Sequence, residues 1–122
     1  MMEKKFDLEE GLIEFAAQLI HFTESMVSSK SGNHLANQLL RSGTSPALNY
    51  GEAQSGESRK DFIHKFKVIL KELRETLIGL KIVERAGLHQ DNSFLDKMKD
   101  ECNQLISIFV KSVLTAEHNR FE

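Results

Sequence analysis

The chain has no tryptophan, one proline, one cysteine and no apolar run approaching the roughly 18 to 20 residues that a membrane helix needs. The lone Cys102 excludes an internal disulfide and fits a reducing compartment. The shortage of proline leaves long stretches free to form helix. The start, Met1-Met2-Glu3-Lys4-Lys5-Phe6-Asp7, turns acidic where a signal peptide would carry an apolar stretch. A cytoplasmic protein without a membrane partner is the expectation.

No strong excess of one charge exists either. The net charge is −2, which excludes a blanket polyanion binder. The distribution is uneven, however. Residues 57 to 85 carry eight Lys and Arg against five Asp and Glu, and the remainder carries eight against thirteen. A modestly basic element therefore sits in an acidic molecule.

What is present is helical periodicity over a length of 122 residues, with 40% apolar and 28% charged residues. That size suits a single domain spanning residues 1 to 122, able to bury a core without disulfide or metal. Leu8, Leu12, Phe15, Leu19, Phe22 and Met26 step by four and three, the seam of a helix packed on helices. Ile13, Ala16, Ile20 and Val27 lie beside that seam and are expected to widen it. Asp7 caps this helix with Glu10 as partner, and Ser28 to Asn33 breaks it.

A second helix is predicted from near Asn33 to about Gln54, with Leu35, Ala36, Leu39, Leu40, Ala47, Tyr50 and Ala53 on a broad face. Pro46 falls in its middle, where its ring opposes the carbonyl of Ser42. A continuous helix kinked there is expected, against a competing reading of two short helices with Ser45 as a new cap. Ser58 and Asp61 cap a third helix whose seam is Phe62, Phe66, Ile69, Leu73, Thr76, Leu80 and Val83. Gly87 ends it in left-handed conformation, with Leu88 folding back on Val83. Ser93 and Asp96 cap a fourth helix with the seam Leu95, Met98, Cys102, Leu105, Phe109 and Val113. Similar lengths and short connections predict an all-α, antiparallel up-down-up-down four-helix bundle. Phe15, Leu19, Phe66, Leu73, Leu105 and Phe109 are its expected core.

Such bundles host di-iron centres through Glu-x-x-His pairs, and this chain contains none. Asp61-x-x-His64 and Glu72-x-x-Glu75 lie off the apolar seam. His21, His34, His64, His89 and His118 lack ligand spacing and read as surface or helix-end residues. Cys102 occupies a core position, so it reads as an inert thiol. Gly43 and Gly51 lie within a helical pattern and have no phosphate-loop lysine. No catalytic residue, metal or cofactor is expected, and the chain reads as a non-enzyme.

One polar pattern stands out. Lys60, His64, Lys67, Lys71, Arg74, Lys81 and Arg85 fall on one outward stripe of the third helix, about 37 Å long at 1.5 Å per residue. Lys60, Lys67, Lys71, Arg74, Lys81 and Arg85 are the candidate phosphate contacts for RNA or DNA. No aromatic residue interleaves with them, so neither base stacking nor sequence reading is expected. The ordinary reading is a solvated helix face. Ile78 and Ile82 sit on or beside the same face, one turn apart, and are candidate oligomer contacts.

Ser42-Gly43-Thr44-Ser45-Pro46-Ala47-Leu48-Asn49-Tyr50-Gly51-Glu52-Ala53-Gln54, then Ser58-Arg59-Lys60-Asp61-Phe62-Ile63-His64-Lys65 and Lys71-Glu72-Leu73-Arg74-Glu75-Thr76-Leu77, cover the middle half of the chain. Together they resemble the bacterial four-helix-bundle proteins encoded in intervening sequences of 23S ribosomal RNA genes. The chain departs from them at Pro46, where relatives often carry an aliphatic residue, and at Gly51, where a basic residue is common. The resemblance implies a cytoplasmic bacterial protein that forms a ring-like homopentamer, and it supplies no established activity. A related branch, the accessory proteins of diversity-generating retroelements, works beside a reverse transcriptase and binds nucleic acid. The resemblance also points to Arg41, Asn49, Glu52, Glu72 and Glu75, which are expected to form structural hydrogen bonds between helices or subunits. Two functions remain as expectations: weak nucleic-acid binding by an oligomer, or an oligomeric scaffold for another protein.

Overall fold

A computed structural model describes residues 7–55 and 58–119 of the chain. Four helices follow in order: α1 (Leu8–Glu24), α2 (Lys30–Gln54), α3 (Arg59–Ala86) and α4 (Asn92–Asn119). They form an antiparallel up-down-up-down bundle. Each helix packs on its sequence neighbours, and α1 closes the square on α4, so α1 and α3 lie on a diagonal with their backbones not adjacent. At one end the α1–α2 and α3–α4 connections are tied together, Val27 N–H donating to the Leu88 carbonyl at 2.8 Å.

The helix starts follow from short polar side chains. Asp7, Ser29 and Ser58 each accept from the backbone N–H three residues on, at 3.2, 3.0 and 3.1 Å. Ser29 corrects the start expected near Asn33. Gly32 is buried inside the first turn of α2, where a Cβ would lie 1.9 Å from the Val27 carbonyl oxygen. It is there for close approach and does not break the helix. The fourth helix likewise starts before the expected Ser93, because Asp91 Oδ1 accepts from Phe94 N–H at 3.0 Å. Gly87 (φ 66°) ends α3, and Leu88 N–H returns to the Val83 carbonyl at 3.0 Å, the paired closure of a Schellman turn.

The helix α2 runs unbroken through Pro46, which is buried. Beside it, Thr44 Oγ1 and Ser45 Oγ donate to the carbonyls of Leu40 and Arg41 at 2.5 and 2.7 Å. Small residues let α2 approach its neighbours. A Cβ on Gly43 would meet Leu19 of α1 at 1.8 Å, and one on Gly79 would meet Leu39 at 2.8 Å.

The core is built from the expected seams. Phe15, Leu19, Phe66, Leu73, Leu105 and Phe109 are all buried, with Leu12, Phe22, Ile69, Leu80 and Met98 among them. Two expectations fail. Ile13 and Ile20 do not widen the seam of α1; they are 47% and 42% exposed. The α4-facing side of α1 carries Gly11, Glu14 and Phe15, and Ile13 and Ile20 stand on the opposite flank, beyond the arc that the neighbouring helices cover. His89, read as a surface or helix-end residue, lies just past the end of α3 but is not on the surface. It is buried, stacked on Phe22 (centroids 4.1 Å apart, planes 6° apart) with Phe94 edge-on to it. Its Nδ1 accepts from Asp91 N–H at 3.1 Å, which places the ring proton on Nε2.

Candidate functional site

The helix α3 buries Phe66, Ile69, Leu73, Thr76 and Leu80, so the residues half a turn away must face out. Lys60, His64, Lys67, Lys71, Arg74, Lys81 and Arg85 are all exposed on that side. Lys67 reaches Glu117 of α4 at 3.0 Å. Lys60, Lys71, Arg74, Lys81 and Arg85 make no ion pair among the described residues. Their charges are therefore uncompensated within the described chain.

Ile78 and Ile82 interrupt this cationic face, 56% and 46% exposed. They continue into an open groove of about 750 Å³ between α2 and α3. Its apolar surface comes from Leu35 of α2 and from Leu70, Ile78, Gly79 and Ile82 of α3. Its polar lining includes His34, Gln38, Lys67, Lys71, Arg74 and Glu75. Half of the basic stripe thus borders the groove, while Lys60, Lys81 and Arg85 lie outside it.

The residues singled out by the family resemblance gather on the α2–α3 seam as two separate clips. In one, Arg41 Nη2 donates to Gln38 Oε1 at 2.9 Å and stands 4.0 Å from Glu75. In the other, Asn49 Nδ2 donates to Glu72 Oε1 at 2.9 Å, and Lys65 bridges Asn49 Oδ1 (3.4 Å) and Glu52. Glu52 pairs with Lys65 and not with Arg41. Lys65 is the member that residue patterns missed. Its signal was its position seven residues before Glu72, two turns along the same face of α3.

Burial pushes the Glu72 carboxyl above its ordinary value; hydrogen bonds from Asn49 and Ser45 work against that rise. Beneath the clips, Thr76 Oγ1 donates to the Glu72 carbonyl (2.9 Å). Its proton being committed, Ser42 Oγ donates to Thr76 Oγ1 across the helices at 2.8 Å. The seam is a hydrogen-bonded zipper between helices. Each carboxylate in it already has a partner.

Cys102 is buried, its thiol donates to the Leu73 carbonyl at 3.2 Å, and burial pushes it up to about 12. His21, His34, His64 and His118 are dispersed on the surface. Among the described residues, no group of three or more His, Cys, Asp or Glu is placed to hold a metal ion. No helix among them is long and apolar enough to cross a membrane.

Comparison with known proteins agrees with the fold. No functionally curated protein matches the chain. The crystal structure of a protein of unknown function from the S23 ribosomal protein family of Bacteroides thetaiotaomicron VPI-5482 superposes with a TM-score of 0.80 at 25% identity. The match covers 88% of this chain and 98% of that one. The family model of the 23S rRNA-intervening sequence proteins matches residues 4–111. With both connections of the α2–α3 seam and most of all four helices inside that match, the chain belongs to the 23S rRNA-intervening sequence protein family.

Proposed function

We propose that the chain is a non-enzymatic helical bundle that works as a homo-oligomer, a pentamer on the pattern its family implies, with the α2–α3 groove as a subunit contact. The observation that carries this reading is the exposed pair Ile78 and Ile82 running into an apolar-floored groove. A face evolved only to track phosphates has no use for apolar side chains at its centre, whereas a protein contact does. Light scattering tests it. A monomer mass of 13.9 kDa at micromolar concentration would overturn the reading; a closed pentamer has about five times that mass. Ile78→Asp with Ile82→Asp is expected to give a folded monomer. Unchanged assembly in that variant would remove the groove from the contact.

A second reading has its own observation. Lys60, Lys71, Arg74, Lys81 and Arg85 are exposed without ion-pair partners among the described residues, and uncompensated cations along a rigid rod match a nucleic-acid backbone. Binding to RNA or DNA would be weak, indifferent to sequence and steeply weakened by salt. A low-salt gel shift with unrelated RNA and DNA that shows no complex ends this reading and leaves a scaffold whose partner is protein.

A further inference from the structure

Resting on the assembly reading above, we propose that the occupant of the α2–α3 groove is helix α1 of the next copy, docked head to tail by its outward Ile13–Ala16–Ala17–Ile20 face. These four residues stand at the i, i+3, i+4 and i+7 spacing by which a helix fills a groove. Ile13 and Ile20 are exposed, and the two alanines between them let a partner approach closely. Among the described residues the other large exposed apolar side chains are Leu48 and Leu114 besides the groove's own pair. Each of those two stands alone on its helix, with no second exposed large apolar residue within two turns. Among the described residues, the face on α1 is thus the one helix face outside the groove that carries two exposed large apolar side chains.

Charge selects the same pair of surfaces. Helix α1 contains four glutamates and no Lys or Arg, whereas α3 contains eight Lys and Arg against four Asp and Glu. Glu9 and Glu24 flank the Ile13–Ile20 face at its two ends, and Lys71 and Arg74, unpaired within the described chain, border the groove. Docking brings these opposite charges to the rim of an apolar contact, where they orient the encounter and exclude the reverse pairing of α3 on α3.

Topology permits the contact to repeat. Because α1 and α3 occupy a diagonal of the bundle, a copy can fill its neighbour's groove and receive another copy at the same time. Such a contact joins two different surfaces, which builds rings or open chains and not a two-fold dimer. The groove opens between α3 and α2, off that diagonal, so successive copies turn and a ring can close.

The test compares Ile13→Asp with Ile20→Asp against Ile78→Asp with Ile82→Asp, by sedimentation velocity, with circular-dichroism melts to verify folding. Each variant alone is expected to be monomeric. Mixed at equal, tens-of-micromolar concentration, they retain one intact α1 face and one intact groove, and a mixed dimer of about 28 kDa, twice 13.9 kDa, is expected. Should the aspartates unfold α1, Ile13→Ala with Ile20→Ala keeps the helix and is expected to weaken assembly by roughly tenfold or more. Wild-type-like assembly of the α1 variants, or a mixture that stays monomeric, overturns the docking of α1 while leaving a groove-mediated oligomer standing. A monomeric wild-type chain overturns both.

Discussion

Leu73 sits at the centre of α3 with no exposed surface, and its carbonyl accepts the Cys102 thiol proton. Truncating it to alanine removes three buried carbons and leaves a void that packed helices cannot close. Leu73→Ala is expected to cost about 2 to 5 kcal/mol, read from the shift of a urea midpoint; an unchanged midpoint would refute its place in the core. Glu72 gives a prediction of a different kind. Its carboxyl is raised on folding, chiefly by burial, so the folded chain holds that proton more tightly than the unfolded chain does. Its contribution is therefore most favourable below the ordinary value of 4.5 and is lost as pH rises from there through the raised folded value. Glu72→Gln keeps an acceptor for Asn49 and removes the titration. Relative to wild type, the variant is expected to gain stability as pH climbs through that window and to show a constant difference above it. A wild-type–variant difference that stays flat across the same window, measured by urea melts at stepped pH, would show that Glu72 is not held above its ordinary value.

At the scale of the helix, glycine separates two roles that the sequence alone presents alike. Gly43 and Gly51 lie in the same helix, but a Cβ on Gly43 would lie 1.8 Å from the buried Leu19, whereas one on Gly51 meets nothing within 4 Å. Gly43→Ala is expected to destabilise the bundle by about 1 to 3 kcal/mol through displacement of Leu19. Gly51→Ala is expected to stabilise it by about 0.5 to 1 kcal/mol through helix propensity alone. Thermal melts of the two variants should move in opposite directions; movement in the same direction would contradict the close packing of α2 on α1. This contrast marks how far the elements were legible. The seams of α3 and α4 could be read because their apolar steps of four and three are unbroken, and the Gly87 closure because glycine there precedes a leucine able to reach Val83. The start of α2 was displaced because Ser29 and Gly32 look like loop residues until the fold places Gly32 against the Val27 carbonyl. Ile13 and Ile20 were assigned to the core because periodicity reports a helix's apolar arc and not how much of that arc its neighbours cover. His89 lay beyond reach for a related reason: only the meeting of the two connections at one end of the bundle buries it on Phe22. Of the α2–α3 seam, Arg41, Asn49, Glu52, Glu72 and Glu75 were identified from motif resemblance, while Lys65 and the pairings themselves were not, since pairing across helices depends on a register that no single helix encodes.

For the whole molecule, the decisive quantity is where charge lies and not how much there is, since the net charge is only −2. An acidic α1 and a basic α3 on opposite corners make the bundle polar across its width. Two uses of that polarity lead to separable outcomes. If the cations guide one copy onto the next, those bordering the groove carry the effect, and Lys60, Lys81 and Arg85 outside it are dispensable for assembly. If the whole stripe follows a phosphate backbone, these three matter as much as the rest, because each neutralised phosphate releases counterion wherever it sits along the rod. Lys60→Glu with Lys81→Glu and Arg85→Glu is therefore expected to leave the oligomer intact at physiological salt, since long-range repulsion is screened within about 8 Å there. The same variant is expected to lose low-salt binding to unrelated RNA and DNA alike. Sedimentation velocity and gel shift on one preparation read both quantities. Collapse of the oligomer would extend the subunit contact along the full length of α3, and nucleic-acid binding that survives the triple reversal would exclude these three residues from phosphate contact.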